Sequence, residues 1–391
     1  MIPQNIKLYE DPALPYPGDN LDLPFADYIT QCKTLIENTR LDLNDGDLAD
    51  RILSANTPFE LTPVASAAKT KSCYGALLIH GLYDCPMVMR DIGETLQKQG
   101  LLVRSILLPG HGTVPGALLN TRYQDWVQAV HYGVTSLALA VDKIFLVGFS
   151  TGGSLALYHL LNGSYPNIAG AITFAPALAI SPLAPLTGLI PKCGRLWLEK
   201  TPEIDYAKYC SFTYNSAYQI YLLGQAVQQL LRTKPLPTPQ LIAISQNDKT
   251  VRSNPTIDYF NRYASLSSQM ILYQNSTINR DDKRIVIRPA AQKELNIIDM
   301  SHVALPIAPD NKHYGVEGDF KFASHTQDNL RNGGKILYGT LNTLQNDMLN
   351  ELNKVGLVKH QRLRLTYNPD FAFLQQSVIE FINKIISSSL I

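Results

Sequence analysis

The chain has 391 residues, 45% of them hydrophobic and 17% charged, which is ample material for a large core and excludes a disordered chain. With 34 basic and 33 acidic side chains the net charge is +1, so no overall field attracts nucleic acid or an anionic membrane, and neither is expected as a partner. Cys32, Cys73, Cys85, Cys193 and Cys210 are odd in number and scattered, with no CxxC pair, so neither a disulfide framework nor a metal centre is expected.

In chain order, the N-terminus lacks a basic segment followed by an apolar one, and no apolar run reaches the ~18–20 residues of a membrane helix. A soluble cytoplasmic protein is therefore expected, with export by a non-Sec route left open. Pro12, Pro15, Pro17 and Gly18 mark an extended, surface-hugging segment. Residues 25–38 predict a helix with Phe25, Tyr28, Ile29, Cys32 and Ile36 on one face, and residues 43–70 read as polar and turn-rich. From residue 74 a regular alternation begins. Apolar runs at 76–79, 101–108, 144–147, 170–174 and 241–244 predict buried parallel strands. Helical patterns at 87–99, 124–141 and 150–161 lie between them, the first closed by Gly100. The fold class is therefore α/β, a mostly parallel central sheet with helices on both faces.

The alternation breaks between residues 178 and 238, too long a stretch for a simple loop, which reads as an inserted cap ending in an apolar helical run. The stretch 275–291 suits a hairpin around Arg280-Asp281-Asp282, and 371–386 predicts an amphipathic helix with Phe373, Leu374, Val378, Phe381 and Ile382 apolar. The expected division is an N-terminal extension over 1–70, a core over 71–177 and 239–391, and the cap over 178–238.

Four short motifs carry chemistry. Gly148-Phe149-Ser150-Thr151-Gly152 is a GxSxG pentapeptide between an apolar run and a helical pattern. A serine nucleophile needs a sharp strand-to-helix turn, glycines on both sides where side chains would collide, and a helix N-terminus aimed at the developing oxyanion. Alone the pentapeptide is weak, since a chain of this length meets it by chance on the order of one time in ten. Its place between strand and helix strengthens it against the reading of a plain glycine turn. His80-Gly81-Leu82 follows the run 76–79. A loop in that place supplies one oxyanion N–H, so Leu82 and Thr151 are the candidate donors, and His80 is expected to hydrogen-bond within its loop. Asp248 sits in the turn after the run 241–244, where a carboxylate can orient a histidine, although an ordinary Asx turn would look the same. His302 follows Ile297-Ile298, where a strand end would deliver it. It is preferred as base over His313, in a loop past Pro306 and Pro309, and over His325, with Asp299 the fallback acid. The chain order Ser150, Asp248, His302 adds weight to each.

These pieces, together with Leu108-Pro109-Gly110-His111-Gly112-Thr113, Asp125-Trp126, Gly153 and Val251, resemble the α/β-hydrolase superfamily, and within it the serine carboxylesterases and monoacylglycerol-lipase-like enzymes. The resemblance spans residues 74–302. It implies an α/β-hydrolase fold, catalytic roles for Ser150, Asp248 and His302, oxyanion roles for Leu82 and Thr151, and a structural His111. It departs from the family in a long interval between Asp248 and His302, a long tail after His302, and 70 N-terminal residues without counterpart. The function expected is hydrolysis of carboxylic esters with short-to-medium acyl chains through an acyl-enzyme, with no cofactor. The alternatives are the same triad acting on thioester, amide or carbon–carbon bonds, and a non-catalytic binding protein. No basic cluster is evident within 178–238, so an uncharged, apolar acyl chain is the expected substrate group.

Overall fold

The structure, a computed structural model, describes residues 6–63, 74–163, 167–234, 236, 238–276, 282–320, 335–340 and 360–388. Cys73, Arg280, Asp281 and the candidate base His325 lie outside the described residues. The strands begin with β1 (Phe59–Leu61), β2 (Tyr74–Ile79), β3 (Leu102–Ile106), β4 (Lys143–Phe149) and β5 (Ile168–Phe174). Then come the short β6 (Trp197–Glu199) and β7 (Phe212–Thr213), followed by β8 (Gln240–Ser245), β9 (Gln269–Gln274) and β10 (Ile285–Pro289). Strands β6 and β7 pair only with each other, whereas the other eight form one sheet in the order β1-β3-β2-β4-β5-β8-β9-β10. All neighbours in it are parallel except β1 with β3.

Every residue of β2 is buried because successive side chains serve two different layers. Leu77 and Ile79 enter one core with Val130, Val134, Leu155 and Ile257. Ala76 and Leu78 enter the other with Ile92, Leu96, Leu374 and Val378. The first layer therefore belongs to α1 (Phe25–Glu37), α4 (Tyr123–Ala138), α5 (Thr151–Asn162) and α7 (Ser253–Tyr263). The second belongs to α3 (Arg90–Lys98) and α8 (Phe371–Ser388). Between β5 and β8 the chain forms two 3-10 turns, the β6–β7 pair and α6 (Tyr214–Leu231). Among the described residues no helix is long and apolar enough to cross a membrane.

Two stretches differ from the sequence expectation. Residues 43–70, read as turns, contain α2 (Gly46–Asn56) and edge strand β1. Helix α2 buries only Ile52, Ala55 and Asn56, too narrow a stripe to announce itself by periodicity. Residues 275–291 do not form a hairpin. β10 lies parallel to β9, with Ile285 opposite Met270.

The winding direction reverses at the middle of the sheet. The chain passes from β2 to one side for β3, then to the other side for β4. In an open α/β sheet, the carboxyl ends of the strands at such a switch point form a natural crevice. The loops after β2, β4 and β8 open there, and they carry Leu82, Ser150 and Asp248.

Candidate active site

The turn from β4 into α5 places Ser150 at φ 54° and ψ −115°, a left-handed conformation that a non-glycine residue adopts only under constraint. Two backbone hydrogen bonds hold it, from Ser150 N to Phe174 O at 2.8 Å and from Ala177 N to Ser150 O at 3.1 Å. The flanking glycines are dictated by contact. A Cβ on Gly148 would lie 2.3 Å from Gly152 O, and one on Gly152 would lie 2.1 Å from Ile79 O, at the end of β2. The second clash is with the neighbouring strand rather than with position 148.

His302 lies beside this turn. Its Nε2 is 3.0 Å from Ser150 Oγ and its Nδ1 is 2.6 Å from Asp248 Oδ2. Donation from Nδ1–H to the carboxylate leaves Nε2 free to accept the serine proton. The Asp248 carboxylate is aimed by its own turn, since Oδ1 accepts from Thr250 N at 2.7 Å and Val251 N at 3.0 Å. The Asx turn and the carboxylate that meets His302 are thus the same group. The side chains of His302 and Asp248 are 6% and 3% exposed, so the pair is shielded from solvent screening.

His302 does not arrive on a strand end, as its sequence suggested. It sits in a turn well past β10. That stretch is braced by the C-terminal tail, where β11 (Lys335–Gly339) and β12 (His360–Arg364) pair in parallel. Ile298 N donates to Tyr338 O and Tyr338 N to Asn296 O, while Asn368 N donates to Ile307 O. Asp299, the fallback acid, accepts from Thr340 N instead of reaching His302. The tail after His302 therefore holds the histidine loop, a role with no local sequence signal.

His313 is placed elsewhere. It is buried between Asp205, 3.0 Å from Nε2, and Asp319, 2.5 Å from Nδ1. Tyr314 Oη donates to the other Asp205 oxygen at 2.7 Å. This cluster ties the loop after His302 to the segment between β5 and β8.

Leu82 N and Thr151 N have no hydrogen-bond acceptor among the described residues, which leaves both donors available. Two neutral histidines shape the loop around Leu82. His80 Nδ1–H donates to Gly81 O at 2.7 Å and Nε2 accepts from Leu108 N at 3.0 Å. His111 Nε2 accepts from Tyr83 N at 2.9 Å, and its Nδ1–H faces Pro109 O at 3.0 Å. Burial pushes His80 down to about 4 and His111 down to about 3. His159, buried in α5, is likewise pushed down to about 4. The unfolded chain takes up these protons below about 6.5, whereas the folded chain resists. The three residues therefore contribute stability that is fully present above about pH 6.5 and is lost as pH falls towards 4. Denaturant unfolding between pH 7 and 4 should show this fall, and a flat profile would contradict the neutral assignments.

Ser150 and His302 open into a cavity of about 470 Å³. Its apolar wall includes Leu82, Ala177, Ile180, Leu183, Ala184, Leu198, Ile220, Val251 and Val303. Among the described residues no group of three or more His, Cys, Asp or Glu is placed to hold a metal ion.

A family model described as serine aminopeptidase, S33, matches residues 75–208. The chain is 29% identical over 228 residues to a thermostable monoacylglycerol lipase from Bacillus sp. (strain H-257), covering 55% of this chain and 88% of that one. It is 23% identical over 185 residues to a carboxylesterase from Bacillus subtilis (strain 168), covering 47% and 66%. Among solved structures, a monoacylglycerol lipase from Paleococcus ferrophilus superposes with a TM-score of 0.46 at 17% identity, covering 55% of this chain and 87% of that one.

Proposed function

We propose, for a chain that is an α/β-hydrolase similar to lipases and carboxylesterases, that it hydrolyses carboxylic esters with Ser150 as nucleophile, His302 as general base and acid, and Asp248 as orienter. The observation that carries this reading is the unbroken hydrogen-bonded series from Asp248 Oδ2 through His302 to Ser150 Oγ on a constrained turn. His302 Nε2 takes the serine proton as Oγ adds to the ester carbonyl. The oxyanion receives the N–H groups of Leu82 and Thr151, each worth about 3–4 kcal/mol in the transition state. His302 then protonates the departing alcohol, leaving an acyl-enzyme. Water, deprotonated by the same nitrogen, attacks the acyl carbon, and the proton returns to Ser150 as the acid leaves. Residues 178–238 act as the cap, since Ala184, Leu198 and Ile220 contribute to the apolar wall beside Ser150.

The mostly apolar cavity, limited in volume, favours short-to-medium acyl chains. Each buried methylene adds up to about 0.8 kcal/mol until the space is filled. With 4-nitrophenyl esters of increasing acyl length, kcat/KM should rise, peak at short to medium chains, and then fall. A flat response, or a preference for amides, would remove this reading. Leu82→Pro deletes one N–H donor, so kcat should fall by about 10²-fold or more in folded protein. An unchanged kcat would take Leu82 out of the oxyanion site.

A further inference from the structure

The cavity beside Ser150 abuts a second one of about 380 Å³, and Asp84, Lys208, Phe212, Val303 and Arg364 line both. Their charges are not balanced. Lys208 Nζ is 2.7 Å from Asp84 Oδ1, a pair that neutralises itself. Asp205 faces the second cavity, but its carboxylate is taken by His313 and Tyr314. Glu199 also lines the second cavity. The guanidinium of Arg364, at the end of β12, makes no hydrogen bond or ion pair with any described residue. It is only partly exposed, and its surroundings disfavour charge through burial. A guanidinium stays protonated under such pressure, so a cation stands at the junction that no described carboxylate contacts directly, although Asp84 and Asp205 act on it through space. Lys249, next to Asp248 and exposed, adds a second ammonium at the lining of the Ser150 cavity, with no ion-pair partner among the described residues.

From this arrangement we infer that the substrate is an ester carrying an anionic group, a carboxylate or phosphate, which Arg364 receives at the junction of the two cavities while the apolar stretch of the substrate lies against the wall near Ser150. The inference rests on the esterase reading and deepens it by naming a substrate class. Both cations come from outside residues 178–238, Lys249 from the turn after β8 and Arg364 from the C-terminal pair. Inspection of the cap sequence alone could not find them. The planar fork of Arg364 suits two-point contact with a carboxylate or phosphate.

The test compares matched esters on the full chain. On the acyl side, mono-4-nitrophenyl suberate is set against 4-nitrophenyl octanoate. On the alcohol side, the butyrate ester of 4-hydroxybenzoate is set against phenyl butyrate. In one of the two arms the wild-type protein should favour the anionic member in kcat/KM by about 10-fold or more. Arg364→Leu should reduce that ratio by about 10-fold, and Arg364→Lys should keep part of it. The ratio is taken within each preparation, so a fraction of unfolded variant cancels. A wild-type preference for the neutral member in both arms, or a ratio that Arg364→Leu does not move, would overturn the inference. If no ester is turned over, the esterase reading fails instead. Calorimetric binding of free suberate, present in the wild-type protein and absent in Arg364→Leu, then still decides the anion site, and no binding to the wild-type protein counts against it.

Discussion

Ser150→Ala should lower kcat for 4-nitrophenyl butyrate by about 10⁵-fold while leaving the fold and melting temperature close to wild type. The size follows from removing the atom proposed to attack. The retained fold follows from the contacts, since among the described residues Oγ hydrogen-bonds to His302 alone while the constrained turn is held by backbone bonds to Phe174 and Ala177. Turnover near wild type in a cleanly folded variant would sink the serine mechanism.

His302→Ala should be almost as severe, again about 10⁵-fold in kcat, and Asp248→Asn about 10⁴-fold because the amide no longer fixes the productive tautomer. His80→Ala should behave differently. It strands Gly81 O and Leu108 N in a fully buried place, so it should cost about 1–3 kcal/mol of stability per unpaired group. Its loss of kcat should be far smaller than that of His302→Ala. Thermal unfolding and steady-state kinetics on the two variants separate these roles, and the reverse ranking would mean that a structural and a reacting histidine have been exchanged.

What could be read from the sequence follows from where each constraint lies. The turn at Ser150 is legible because its geometry forbids a Cβ at two positions, and that writes glycine on either side of the serine. Asp248 is legible because its own turn uses the carboxylate, leaving Asp and Val251 at fixed spacing. The strands at the centre of the sheet are legible because burial on both faces makes them continuously apolar. The edges are not. β10 is only half-buried, and only residues 275–284 separate it from β9. So short a connection favours a hairpin on length alone, because parallel strands ordinarily need a longer crossover. The support of His302 is also hidden. It comes from Tyr338, some forty residues later in the chain, through backbone groups that carry no residue preference. Arg364 is hidden for the same reason, since only the folded chain brings the C-terminal pair to the site.

The central claim, a nucleophilic Ser150, is tested most directly by labelling the wild-type protein with a fluorophosphonate and mapping the adduct by peptide mass spectrometry. The account predicts one stoichiometric adduct on the peptide containing Gly148-Phe149-Ser150-Thr151-Gly152, formed at a rate that His302→Ala abolishes and absent from Ser150→Ala. Labelling that persists in Ser150→Ala, or a wild-type protein that hydrolyses esters without taking up the label, would contradict it.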